Sequence, residues 1–276
     1  MNIDLHCHSN ISDGALAPAA VARRAARAGV AVWALTDHDQ LAGLAEARAA
    51  ALDAGMRFVN GVEISVTWRG STVHVVGLRI DAADPDLAAH LAAVRGGRIE
   101  RARAMARELR EAGIEGAFDG AMERAENPQM VSRTHFARYL SDIGAVADTR
   151  DAFSRFLVPG KPGYVPHQWA ALADAVQWIV AAGGQAVLAH PGRYGLSAGA
   201  MDALLLEFRA AGGEAIEVVT GSHSPGQYRH FAALAAQYDL AASRGSDFHG
   251  PGEGAEFGTL PPLDPALRPL WREWGL

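Results

Sequence analysis

The stretch that most constrains this chain is its start, Ile3-Asp4-Leu5-His6-Cys7-His8, followed by Asn10-Ile11-Ser12-Asp13-Gly14. Ile3, Leu5 and Cys7 alternate with Asp4, His6 and His8. A period of two predicts a strand with both imidazoles on one face, opposite the apolar residues. Two neutral imidazoles converging at a strand end make half of a metal site, and Asp13 in the next turn offers an oxygen from another direction. A single His-x-His pair is weak evidence by itself. Three further groups give it weight: Asp37-His38-Asp39, Glu63 with His74, and Asp247-Phe248-His249.

Hydrophobic periodicity places these groups on a repeating frame. A helix is predicted over 18–28, with Pro18 in its first turn and Gly29 at its exit. Strands are predicted over 30–36, 56–62 and 72–78, with a helix over 41–54 between the first two. Glu63 then stands at a strand end, whereas His74 precedes Val75 and Val76. It reaches the same rim only if its strand runs the other way or lies deep. After residue 166 the pattern resumes, with helices over 167–182, 204–210 and 227–238 and strands over 185–189, 215–219 and 240–243. Strands alternating with helices imply a parallel α/β sheet or barrel, whose chemistry gathers at the C-terminal rim of the strands.

Between about residues 83 and 166 no strand signal rises. A long helical stretch over 86–112 is interrupted by Gly96-Gly97, and its arginines from Arg95 to Arg110 face several directions, so most are expected to be surface charges. Shorter helices follow, one capped by Ser132 and one by Thr149. The expected organisation is therefore a barrel in two parts, residues 1–82 and 167–276, around an all-helical insertion at 83–166. The tail from Pro261 is expected to fold back over the body.

Composition limits the functions available. With 276 residues, 49% hydrophobic, the chain can bury one large core, and a net charge of −6 gives no global field for duplex nucleic acid. Cys7 is the only cysteine, so sulfur-rich coordination and an internal disulfide are excluded. Apolar runs are broken by charge, Gly or Pro, and no basic leader precedes the first strand. The expectation is a cytoplasmic protein with no membrane segment. No Walker lysine motif, dinucleotide fingerprint or G-x-S-x-G elbow is present.

Nine residues form the candidate metal set: His6, His8, Asp13, His38, Glu63, His74, His190, Asp247 and His249. Mixed nitrogen and oxygen donors suit Mn²⁺, Zn²⁺ or Fe²⁺ better than Mg²⁺ or Ca²⁺. Nine donors exceed one ion, so two or three are implied, with Glu63 able to bridge. Closely spaced ions can activate water and clamp a transferring phosphoryl group.

His6-x-His8, Asp37-His38, Glu63, His74, His190-Pro191 and Asp247-x-His249, in that order, resemble the motifs of the polymerase and histidinol phosphatase (PHP) family of metal-dependent phosphoesterases. The resemblance implies a distorted seven-stranded β/α barrel and usually three divalent ions, Mn²⁺ foremost. It assigns His6, His8, Glu63 and Asp247 to a first ion, Glu63, His74 and His190 to a second, and Asp13, His38 and His249 to a third. Asp13 stands where many relatives have histidine.

The helical insertion, Ser132-Arg133-Thr134-His135 and Thr220-Gly221-Ser222-His223 resemble the branch containing 3',5'-nucleotide bisphosphate phosphatases and 5'-to-3' exoribonucleases. That branch implies hydrolysis of pAp to AMP and phosphate by a metal-activated hydroxide, with short single-stranded RNA as the alternative substrate. Arg133 and His135, at a helix start, are expected to hold a 5'-phosphate, with Lys161 as a further cation. His223 is expected to touch substrate or pass a proton to the leaving oxygen, while Glu63 and Asp247 carry the catalytic charge. Asp37 and Asp39 are expected to orient His38. Another small-molecule phosphatase, an amidohydrolase and a non-catalytic nucleotide-binding module are the remaining readings.

Overall fold

In the computed structural model, which describes residues 1–275, seven strands form a nearly closed barrel. They are β1 (Ile3–Asp4), β2 (Val32–Leu35), β3 (Arg57–Trp68), β4 (Ser71–Leu78), β6 (Gln185–Leu188), β7 (Ala215–Thr220) and β8 (Ala241–Gly245), paired in that order. A two-residue strand, β5 (Ala170–Ala171), pairs with β3 off this path, so the helix expected over 167–182 begins only at Leu172. The ring closes between the continuations of β8 and β1. Leu5 donates to Arg244 O at 3.0 Å, Asp247 to His6 O at 2.8 Å and His8 to Phe248 O at 2.9 Å.

All ring pairs are parallel except those of β4, which runs antiparallel to both β3 and β6. This settles His74. In a reversed strand an early residue lies at the rim where its neighbours end, and Ser65 of β3 is its partner across the ladder. Glu63 differs from expectation in the other respect. β3 does not stop at residue 62 but continues to Trp68, because the tight Arg69-Gly70 turn folds it directly back into β4. Glu63 is therefore a mid-strand residue, fully buried.

Alternation sorts the strands into two apolar faces. Val59, Val76, Leu78, Val187, Ala189, Ala215 and Ala241 fill the barrel interior, joined by Ile3 and Leu5. Val62, Ile64, Val66, Val75 and Leu188 face outward against α1 (Pro18–Arg27), α2 (Leu44–Asp53), α8 (Leu172–Ala181), α9 (Ala198–Ala210) and α10 (Pro225–Gln237). The strict alternation expected for the first strand fails. Only Ile3–Asp4 is regular, and Cys7 joins the outer cluster while Ile3 and Leu5 stay inside. His6 and His8 therefore ride on an irregular rim segment. A Cβ on Gly245 would lie 2.3 Å from His6 Cβ, so only glycine lets β8 approach that segment. Leu270 in the tail closes the opposite end of the barrel.

The insertion has a core of its own. Helix α3 (Pro85–Arg95) packs Leu87 and Leu91 into the barrel's outer core, and the chain breaks at Gly96-Gly97 before α4 (Arg98–Glu111). Met105, Leu109, Phe136, Leu140 and Leu157 then form a separate cluster with α5 (Ala117–Glu123), α6 (Arg133–Asp142) and α7 (Thr149–Ala152). Ser132 caps α6 as expected, whereas Asp148, not Thr149, caps α7 by accepting from Asp151 N at 2.8 Å. No helix among the described residues is long and apolar enough to cross a membrane.

Candidate metal centre

All nine metal-type residues gather at one rim. His6 Nε2 and His8 Nε2 each lie 3.2 Å from Glu63 Oε2, and 3.5 and 3.3 Å from Asp247 Oδ1. The other oxygen, Glu63 Oε1, is 2.9 Å from both His74 Nδ1 and His190 Nε2. Asp13 Oδ1 faces His249 Nε2 at 3.4 Å, and His38 Nε2 and His8 Nδ1 at 3.9 Å. Three groups have donor atoms close enough together to hold an ion each: His6 with His8, Glu63 and Asp247; His8 with Asp13, His38 and His249; and His38 with Glu63 and His74. His8, His38 and Glu63 are thus each shared by two groups.

Cations fit this arrangement on chemical grounds. His8 Nδ1, Asp13 Oδ1, Glu63 Oε2 and Asp247 Oδ1 are buried and accept no hydrogen bond from any described residue. Leaving such groups unsatisfied costs about 1–3 kcal/mol each, more for charged ones, which an ion bound between them offsets. Burial opposes ionisation of Glu63, yet the imidazoles of His6, His38 and His74 hold its carboxyl well below the usual range. The same opposition between burial and imidazoles, here led by His6, keeps Asp247 ionised. His190 and Asp247 have φ of +25° and +56°, left-handed values that non-glycine residues rarely take and that cluster at functional sites.

Glu217 was not anticipated and holds two of these donors in place. Its Oε1 accepts from His6 Nδ1 at 2.8 Å, which turns His6 Nε2 toward the cluster, and its Oε2 accepts from His190 N at 2.6 Å. The signal was available: a lone glutamate inside the apolar strand Ala215-Ile216-Glu217-Val218-Val219. Glu217→Gln is expected to weaken metal affinity about 10–100-fold, measured by competition with a chromogenic chelator.

Asp37 and Asp39 act elsewhere than on His38. Asp37 accepts from Ser9 N (2.7 Å), Ser9 Oγ (2.6 Å) and Ser12 Oγ (2.6 Å), fixing the loop that carries Asp13. Asp39 accepts from Ser65 N and Oγ at 2.7 and 2.8 Å and pairs with Arg98. Serine and arginine partners near in space but remote in sequence cannot be read from a motif.

The cleft over the cluster is lined by four guanidiniums, of Arg98, Arg101, Arg133 and Arg193. Arg98 and Arg101 are thus not surface charges; α4 presents them to the site. Arg98 is paired with Asp39 and Arg193 with Asp247 Oδ2 at 2.8 Å. Arg101 and Arg133 reach only backbone oxygens, Val165 O at 3.0 Å and Leu157 O at 3.3 Å. Burial, then the neighbouring Arg133 and Arg98, pushes Arg101 down to about 9. Burial, then Arg193, lowers Arg133 as well. The cleft continues into a 570 Å³ lobe by His74, Arg133, Tyr164 and Tyr194 and a 360 Å³ lobe by Thr134, Arg150, Ser222 and Glu253.

Three residues expected to meet substrate are placed otherwise. His135 lies buried in the first turn of α6, where its Nδ1 accepts from Ser132 N at 3.0 Å and completes the helix cap. It steadies Ser132, which donates to Asp13 Oδ2 at 3.0 Å beside Thr134 Oγ1 at 2.9 Å, so the insertion is tied to the metal loop. Lys161 is exposed and outside the residues lining the cleft. His223 has both nitrogens engaged: Nδ1 with Val218 O at 3.1 Å, and Nε2 accepting from Gly192 N at 3.0 Å. That leaves no nitrogen for proton transfer, and the ring instead braces the turn that carries His190 and Arg193.

His135 sets a pH dependence. Burial depresses it from 6.5 to about 4. A depressed histidine contributes stability above its unfolded pKa, and this is lost as pH falls from 6.5 through 4, by roughly 3 kcal/mol at most. His135→Gln can keep the cap without titrating. The wild-type melting temperature is expected to drop more steeply than the variant's between pH 6.5 and 4.5.

Comparison with known proteins agrees with this geometry. A family model described as PHP domain matches residues 4–181. The chain is 58% identical over 273 residues to a 3',5'-nucleoside bisphosphate phosphatase of Chromobacterium violaceum, covering 99% of this chain and 96% of that one. It is 41% identical over 273 residues to the 5'-3' exoribonuclease Rnm of Escherichia coli, covering 98% and 93%. A solved amidohydrolase from Chromobacterium violaceum, with bound sulfate and no metal, superposes with a TM-score of 0.96 at 57% identity, over 99% of this chain and 95% of that one. With the motifs in order, the barrel closed and the donors converged, the chain belongs to the PHP-domain family of metal-dependent phosphoesterases.

Proposed function

We propose that this protein is a phosphomonoesterase that removes the 3'-phosphate of 3',5'-bisphosphonucleotides, converting pAp to AMP and phosphate. The observation that carries this reading is the pair Arg101 and Arg133, two guanidiniums without a carboxylate partner among the described residues, beside a cluster built for cations. A substrate with two phosphates, one at each place, satisfies both. The C. violaceum relative carries the same activity in its name.

In this reading His6, His8, Glu63 and Asp247 hold one ion, Glu63, His74 and His190 a second, and Asp13, His38, His249 and His8 a third. Ions bound there supply Lewis-acid charge and a water of lowered pKa. Mn²⁺ is the first candidate, since imidazole with carboxylate suits it and no thiolate competes. Glu63, whose two oxygens face different donor groups, would be a ligand common to two of these ions. Glu217 fixes His6, and Arg193 neutralises the free oxygen of Asp247. The division into barrel residues 1–82 and 167–276 and insertion 83–166 then separates two tasks. The barrel supplies metal donors, and the insertion supplies Arg101 and Arg133 for the second phosphate. We place this reaction in the cytoplasm.

A second reading, 5'-to-3' trimming of short 5'-phosphorylated RNA, is favoured by the two lobes that extend the cleft and by the E. coli relative's name. The bond broken is the same P–O bond at the ribose 3' oxygen and the same 5'-nucleotide leaves; only the phosphoryl group under attack grows, since it carries the rest of the RNA. The test is phosphate release by Mn²⁺-loaded protein from pAp and from histidinol phosphate, alongside ammonia release from an amide panel. Preference for pAp is expected. Preference for histidinol phosphate, or ammonia without phosphate, would sink the assignment.

A further inference from the structure

A second cavity, of about 470 Å³, lies at the other end of the barrel. Its walls come from α2, from the start of β3, from the exit of β4 and from the tail. It is lined by Arg48, Arg57, Phe58, Arg79 and Trp274, with the exposed Leu52 at its edge. Arg57 and Glu63 are six residues apart on β3, about 20 Å at the usual rise of an extended strand, so this cavity is separate from the metal centre.

The cavity concentrates positive charge on a protein whose net charge is −6. Among the described residues none of its three arginines lies within ion-pair distance of a carboxylate. Arg48 donates to Asn60 Oδ1 at 3.0 Å and Arg57 to Gly275 O at 3.0 Å, so each keeps further donors unused. Two of the guanidiniums sit over aromatic rings, Arg48 over Phe58 at 5.5 Å and Arg79 over Trp274 at 5.9 Å. Arg79 has φ +61°, a left-handed value seen also at Asp39, His190 and Asp247 in the metal centre, and at Arg69 and Asp239 in turns.

Guanidiniums beside rings answer two chemistries at once. The cations take phosphate, and the rings and guanidinium planes offer stacking faces to a base. The volume lies within the range of small-ligand pockets. We infer that this end of the barrel is a second ligand site, which binds a nucleoside phosphate away from the metal centre. The inference does not depend on which ester the metal centre hydrolyses.

Equilibrium dialysis of labelled AMP against wild type and Arg57→Ala/Arg79→Ala, both with Mn²⁺, tests it. The double variant is expected to bind one AMP fewer per chain, with turnover at the metal centre unchanged. Inorganic phosphate is expected to compete at this site at least about tenfold more weakly than AMP, because it has no base to stack. An unchanged AMP stoichiometry overturns the inference. So does phosphate binding as tightly as AMP, which would leave a bare anion site. Should the double variant unfold at the assay temperature, Arg48→Glu, a single change on the exposed face of α2, carries the same test. If the proposed activity fails and AMP does not occupy the metal centre, the far site still appears as one AMP in wild type and none in the variant.

Discussion

Glu63→Gln is expected to lower kcat about 10³-fold or more, equivalent to roughly 4 kcal/mol of transition-state stabilisation. Glu63 is the one side chain whose two oxygens face different donor groups: Oε2 toward His6, His8 and His38, and Oε1 toward His74 and His190. The amide keeps the size but loses the charge, and its NH₂ points a donor where a cation belongs. Metal content, measured by atomic emission after gel filtration, should fall together with kcat, because two ion positions lose a shared ligand. Loss of turnover with full metal content would mean that Glu63 acts on the substrate and does not bridge ions.

Arg133→Ala should behave differently. Arg133 opens α6, borders Phe153, and faces the cleft and its larger lobe without a carboxylate partner among the described residues. Removing a charged donor to phosphate is expected to reduce kcat/KM for pAp about 10–100-fold, with metal content unchanged. If its binding energy is shared equally by ground and transition states, KM rises; if it also orients the ester, kcat falls too. On 3'-AMP, which has no 5'-phosphate, wild type and variant should perform alike. An equal loss on both substrates would remove Arg133 as the 5'-phosphate clamp.

The parts of this site readable in the sequence are those that depend on short spacing. His6-x-His8 and Asp247-x-His249 announce donors because neighbouring residues at strand ends share a rim. The barrel follows from the strand–helix rhythm, and the insertion from its interruption. What stayed hidden depends on direction and on contacts between distant segments. The reversal of β4, which brings His74 to the rim, is marked only by the Arg69-Gly70 turn, since the hydrophobic run itself reads the same in either direction. Arg98 and Arg101 look like members of a solvated arginine run until α4 is docked against the barrel. Conversely, His223 follows a strand as ligands do, yet backbone groups at Val218 and Gly192 take both its nitrogens. His135 follows a cap serine, where a phosphate contact and a capping contact look alike; burial makes it the cap.

The central claim is that one centre hydrolyses a 3'-phosphate ester while the arginine wall grips a second phosphate of the same molecule. The ratio of kcat/KM for pAp to that for 3'-AMP, measured on the Mn²⁺-loaded wild type, tests it directly. Two substrates that differ only in the 5'-phosphate share every step at the metals, so the ratio isolates the wall. Charge-assisted contacts from Arg101 and Arg133 predict a ratio on the order of 10² or more in favour of pAp. A ratio near one would contradict the account.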